Sequence, residues 1–175
     1  MNEAELRNML YSAIETPSPY AIRYPRGCGV GVKWEGEPFQ QIPTGRGRMI
    51  KNGNDLAILT IGPVGNFAAE AIARIEATGK ASIAHYDMRF VKPLDEELLH
   101  EVGKMFRRVI TVEDGVLRGG MGEAIVKFFN DNGYSVRVET LGIDDKFIEH
   151  GTPAQLYALC GYDVDGIERA IKSML

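Results

Sequence analysis

The chain has 175 residues, 45% hydrophobic and 25% charged, the composition of one ordinary folded domain with at most a small appended piece. A formal charge of −4 excludes the basic face a nucleic-acid binder presents, and no apolar run reaches the ~18 residues of a membrane span. The opening MNEAELRNML is charged and amphipathic, unlike a secretion signal, and Cys28 and Cys160 have neither metal-ligand nor disulfide spacing, so a cytosolic chain with buried or idle thiols is expected.

Asn2 followed by Glu5 has the spacing of a capping box, and Leu6, Met9, Leu10 and Ala13 repeat at helical spacing, which predicts a helix over 3–15. TPSP ends it, because proline neither continues a helix nor lets its predecessor do so. YAIRY, residues 20–24, reads as a short strand stopped by Pro25 and Gly27. EGEPFQQIPTGRGR, residues 35–48, has no period and reads as a linker.

From residue 47 onward, strand-like runs alternate with amphipathic helical ones. Strands are expected at RMIKN (48–52), LAILTIG (56–62), SIAHYDMRF (82–90), RVITVED (108–114) and SVRVETLG (135–142). Helices are expected over 66–78, 94–106, 121–132, 153–160 and 164–174, with Pro93 as a start signal and Gly79, Gly133 and Gly161 as stops. Such alternation builds βαβ units, and hence a mostly parallel sheet covered on both faces by helices. The first helix and strand precede the linker like the tail of another domain, so the chain reads as a piece.

Candidate sites are few. RGGMGEAI lacks the third glycine of a dinucleotide fingerprint, and GCGVGV has no helix after it. Gly119, Gly120 and Gly122 suit a tight turn and helix start, whose free N–H groups could attract an anion or an interdomain carboxylate. No nucleophile elbow, metal-type cluster or P-loop lysine is present. His85, His100 and His150 are dispersed, and a structural role is expected for each, with His150 the most interesting because EHGTP reads as a loop. Glu113 and Asp114 end a strand and read as solvated carboxylates or partners of Arg118 rather than an acid–base pair. Arg26 stands apart: Pro25 restrains it, Gly27 gives close backbone access, and its guanidinium fork fits a phosphate bidentately. Chemistry alone leaves open a pairing with an acid at a domain boundary.

AIRYPRG, LAILTIG, YDMRFVKPLDEELL, VITVEDGVLRGGMGEAI, LGIDDKFIEHGTP and GYDVDGIERAI together resemble the C-terminal third of the 1-deoxy-D-xylulose-5-phosphate synthase family, evenly spaced over nearly the whole chain. Transketolases and 2-oxoacid dehydrogenase β subunits share the general layout and are the alternatives, with a non-catalytic assembly module as a third. The resemblance implies a three-layer α/β/α sandwich around a five-stranded, mostly parallel sheet of the transketolase C-terminal type, with RMIKN as the one antiparallel strand. It implies that residues 1–45 are the tail of a pyrimidine-binding domain plus linker and that 46–175 form the C-terminal domain. It also implies a transferase that condenses pyruvate with glyceraldehyde 3-phosphate, giving 1-deoxy-D-xylulose 5-phosphate and CO2 for isoprenoid, thiamine and pyridoxal synthesis. Thiamine diphosphate and Mg2+ would be held by N-terminal and middle domains absent here, in a cytoplasmic homodimer, leaving this chain alone silent, with no cofactor, metal or catalytic residue of its own. Arg26 corresponds to the family's phosphate-holding arginine, whereas Arg23 is expected to be structural.

Overall fold

The computed structural model describes residues 1–79 and 81–175. Helix α1 (Glu3–Glu15) is followed by a long segment without helix or strand, and then by β1 (Arg48–Lys51), β2 (Leu56–Ile61), α2 (Val64–Glu76), β3 (Ile83–Asp87), α3 (Glu96–Met105), β4 (Arg108–Val116), α4 (Met121–Asp131), β5 (Arg137–Ile143), α5 (Pro153–Cys160) and α6 (Val164–Met174). The five strands form one sheet in the order β1-β3-β2-β4-β5. Only β1 runs antiparallel, paired with β3, as expected for RMIKN.

Three layers follow from the alternation of side chains along the strands. Leu56, Ile58, Ile110 and Val112 face α2 and α6, packing on Ala68, Ile72, Ile167 and Ile171. Ala57, Leu59, Ala84, Tyr86 and Val109 point the other way, against Leu99 and Val102 of α3 and Met121 and Ile125 of α4. Strands buried on both faces read as continuous apolar runs, which is why LAILTI and RVITV were legible.

Several boundaries move for local reasons. Helix α3 begins not at Pro93 but after Asp95, whose carboxylate accepts from Leu98 N at 3.1 Å and from Gly47 N at 2.9 Å. Strand β3 ends at Asp87 rather than Phe90, because Arg89 turns into the left-handed region at φ 57°. The 20–24 stretch is not a strand: residues 19–25 carry no regular secondary structure. Flanked by Pro19 and Pro25, they pair with no strand of the sheet, and a lone extended segment has no ladder to satisfy its backbone.

The upstream segment lies over the carboxyl ends of the parallel strands. Asn66, in the first turn of α2 beyond β2, donates to the Met1 carbonyl at 3.0 Å. Only half of the anticipated capping box forms. Asn2 accepts from Glu5 N at 2.9 Å, but the Glu5 carboxylate turns to the sheet, taking Arg89 Nε at 2.9 Å, Arg89 Nη2 at 3.0 Å and Arg48 Nη1 at 2.7 Å. Arg48 also reaches the buried Asp87 carboxylate at 3.2 Å, and Asp87 accepts from Arg89 N at 3.2 Å. These contacts join α1, β1 and the end of β3.

His85, in mid-β3, is fully buried beside this network, with Nε2 2.9 Å from Thr60 Oγ1. The Thr60 hydroxyl is 3.2 Å from the Tyr86 carbonyl and donates there, so the ring's Nε2–H donates to Thr60. Burial, and then the nearby Arg48 charge, push His85 from 6.5 down to about 4. Above pH 6.5 it is neutral whether folded or unfolded; as pH falls from there the unfolded chain takes the proton first, so stability drops until about pH 4. Urea unfolding should therefore show wild type losing up to ~1.4 kcal/mol per pH unit more than His85→Asn across that window. Parallel curves for the two proteins would refute it. Glu5→Ala strands the Arg89 guanidinium and leaves Arg48 with Asp87 alone, and should lower unfolding stability by about 2 kcal/mol, with faster trypsin cleavage within residues 16–47; unchanged stability and cleavage would show that the network carries no weight.

Candidate functional site

Residues 20–32 form an irregular strap, tied down on either side of Arg26. On the N-terminal side, the Tyr20 ring meets Phe90 edge-on at 6.2 Å and its hydroxyl lies 3.1 Å from Thr44 Oγ1. Arg23 Nη2 donates to the Asp114 carbonyl at 3.1 Å, near the end of β4, which ties the strap to the sheet's carboxyl edge. On the C-terminal side, the amides of Val30 and Gly31 donate to the Glu3 carboxylate of α1 at 3.2 and 2.5 Å.

Arg26 stands exposed between these ties, in the bend after Pro25. Among the described residues no carboxylate lies within ion-pairing distance of it, unlike Arg46, Arg48, Arg74, Arg89 and Arg118. The internal acid partner that chemistry left open is not found there. A guanidinium fork facing solvent can accept an anionic ligand.

Gly119, Gly120 and Gly122 form the tight turn and helix start expected of them, whereas the acidic residues beside them have other roles. Glu113 is buried, not solvated: its two oxygens accept from Met121 N at 2.9 Å and Gly122 N at 2.8 Å, capping α4. Asp114 accepts from the Tyr162 hydroxyl at 2.9 Å, and Arg118 pairs instead with Asp145 at 3.2 Å. The carboxylate at this helix start is thus Glu113 of the same sheet rather than an interdomain one. Gly122 is needed for close approach, since a Cβ there would sit 2.6 Å from Thr111 Oγ1. Glu123 takes Gly119 N at 2.5 Å, so the amides of this turn that could have drawn in an anion are engaged, and the turn offers no cradle for the diphosphate of thiamine diphosphate, which the resemblance gives to other domains. No group of three or more His, Cys, Asp or Glu among the described residues is arranged to hold a metal ion.

The three histidines stay apart. His85 is buried in β3; His100 on α3 has Nδ1 2.8 Å from the Tyr134 hydroxyl and its ring edge-on to Phe128; His150 is exposed in the loop before α5. Both cysteines are free, but Cys28, on the strap, is exposed rather than buried, and Cys160 is half-buried. No helix among the described residues is long and apolar enough to cross a membrane. Sequence reasoning missed Glu3 and Glu5, whose partners lie 27 to 84 positions away and leave no local signal.

A family model described as the transketolase C-terminal domain matches residues 45–167. The chain is 56% identical over 172 residues to the 1-deoxy-D-xylulose-5-phosphate synthase of Bacteroides fragilis, and 52% identical over 172 residues to that of Bacteroides thetaiotaomicron. Each comparison takes in 98% of this chain and 26% of the relative, so the chain spans about a quarter of the length of the curated relatives it matches. A solved split-gene transketolase, described as an inactive β4 tetramer, superposes with a TM-score of 0.87 at 30% identity, covering 99% of this chain and 55% of that one. The transketolase of Campylobacter jejuni subsp. jejuni NCTC 11168 shares the fold, with a TM-score of 0.56 at 18% identity over 78% of this chain and 20% of that one.

Proposed function

Because the chain belongs to the 1-deoxy-D-xylulose-5-phosphate synthase family and carries its transketolase C-terminal domain, we propose that it is the C-terminal part of a transferase joining pyruvate to glyceraldehyde 3-phosphate, with loss of CO2, to give 1-deoxy-D-xylulose 5-phosphate. Thiamine diphosphate and Mg2+ belong, on this reading, to N-terminal and middle domains of the same protein, which works as a cytoplasmic homodimer. Residues 1–45 are the tail of the pyrimidine-binding domain plus linker, and 46–175 the C-terminal domain. Exposed Leu10 and Ile14 on α1, 48% and 81% accessible, suit a helix whose outer face is meant for further protein.

The observation that carries this reading is Arg26, an exposed arginine with no acid partner among the described residues, on a strap held at both ends. Its role is to bind and orient. Two parallel N–H groups take two phosphate oxygens of the aldehyde substrate, and the charge persists at any physiological pH. Binding energy gathered at the phosphate then fixes the aldehyde at the other end of the molecule for attack. The cofactor supplies the carbanion chemistry when bound, and no residue of this chain is assigned a proton transfer. The inactivity of the split-gene neighbour as a β4 tetramer supports the view that these 175 residues alone are silent.

CO2 release from pyruvate, with Mg2+, thiamine diphosphate and glyceraldehyde 3-phosphate, should be seen for the complete protein and not for this chain. In the complete protein, Arg26→Gln should raise KM for glyceraldehyde 3-phosphate on the order of 10- to 100-fold, while D-glyceraldehyde is little affected. Equal losses with both aldehydes would remove the phosphate role, and a complete protein that releases no CO2 would remove the reaction itself.

A further inference from the structure

The alternating glycines of GCGVGV, Gly27, Gly29 and Gly31, match no turn type or nucleotide motif in the sequence, and Arg26 alone does not explain them. The structure gives two of the three a reason. Glu3, in the first turn of α1, lays its carboxylate into the bend of the strap, where Val30 N and Gly31 N donate to its two oxygens at 3.2 and 2.5 Å. At Gly29 a Cβ would stand 2.4 Å from the Glu3 carboxyl carbon, so any side chain there pushes the carboxylate away. Gly31 holds φ 84°, a left-handed conformation that turns its amide toward the acid at little steric cost. Its own backbone N–H, then that of Gly31, hold the Glu3 carboxyl below the usual carboxylate range.

The position of Glu3 gives the contact its importance. Two residues further along the same helix, Glu5 is bound to Arg48 and Arg89 at the sheet edge, so α1 is itself fixed. Arg26 lies between the Arg23 hook on Asp114 and the Val30–Gly31 clasp, three residues from one and four from the other. We propose that Glu3 is a positioning residue for Arg26: by clasping two consecutive amides of the strap it holds the guanidinium in the orientation that receives the substrate phosphate. The proposal rests on the reading of Arg26 as the phosphate contact. It assigns to a half-buried acid a role in binding an anion, which its charge alone would argue against; the acid acts through backbone amides and never touches the phosphate.

The test has two arms. In the 175-residue chain, NMR-detected hydrogen exchange should show the Val30 and Gly31 amides protected, with protection lost in Glu3→Ala and partly kept in Glu3→Gln, which retains one acceptor oxygen. In the complete protein, Glu3→Ala should raise KM for glyceraldehyde 3-phosphate about tenfold, with kcat and the kinetics of D-glyceraldehyde unchanged, because only the placement of a distal binding group is disturbed. Glu3→Gln should fall between, and Gly29→Ala, which displaces the carboxylate without removing it, should reproduce the same split. In an Arg26→Gln background Glu3→Ala should add nothing. If Arg26→Gln raises KM and Glu3→Ala does not, the positioning role fails and the phosphate reading survives. Should Arg26→Gln leave KM unchanged, the phosphate reading fails and takes this role with it. Equal losses for both aldehydes in Glu3→Ala, additive with Arg26→Gln, would make Glu3 merely structural.

Discussion

The Glu5 carboxylate, wedged between Arg48 and Arg89 at the carboxyl end of β3, is the contact on which the arrangement of everything upstream depends. Arg89 adopts a left-handed backbone conformation unusual for a residue with a side chain, and such a conformation costs about 1–3 kcal/mol. What offsets it is a two-pronged, charge-assisted contact with Glu5, together with the Arg89 amide donating to Asp87. Arg48 then serves both carboxylates, so two acids and two arginines balance within a region largely closed to water. Paired charges of this kind add little stability over apolar packing, but losing one member leaves the others uncompensated. The network thus sets which orientation of α1 is allowed.

In open α/β sheets, ligands bind beyond the carboxyl ends of the strands. Here that edge is covered by the chain's own residues, and that cover carries the exposed Arg26, the group we propose as the anion contact. Glu113 fills the start of α4, Asp87 is committed to arginine, and His85 is buried as a neutral ring. The chemistry of the sheet edge is therefore spent on holding itself together, while Arg26 stands exposed on the strap above it. This division suits a domain that contributes a binding contact to a reaction centred elsewhere.

How much of this was legible depends on how far apart the interacting residues are in sequence. Period and caps identified the helices and the strands of the sheet because those signals are local, whereas the lone antiparallel strand came from the family resemblance. The 20–24 stretch failed because β-propensity cannot reveal whether a neighbouring strand exists. Glu113 was misread because its partners, eight and nine residues away, lie across a turn whose glycines advertised open amides without showing what fills them. Glu5 looked like half of a capping box and formed a stronger pair with arginines 43 and 84 residues on. Pro25 and Gly27 set Arg26 apart in the sequence, but its assignment to a phosphate came from the resemblance carried by the RYPRG motif, since chemistry alone left an acid partner equally open. Cys28 is free and exposed, since a small residue on an irregular strap has no core face to turn toward.

The antiparallel direction of β1 has a mechanical side. Because β1 runs against its neighbours, the incoming chain meets the sheet at Arg48, opposite Asp87, on the carboxyl edge. A parallel strand in that place would have been entered from the opposite edge, behind the domain. Load applied through the upstream segment is therefore taken first by the ionic joints at Glu5, Arg48 and Arg89, and is delivered to the tip of β3 before the short β1–β3 ladder is strained.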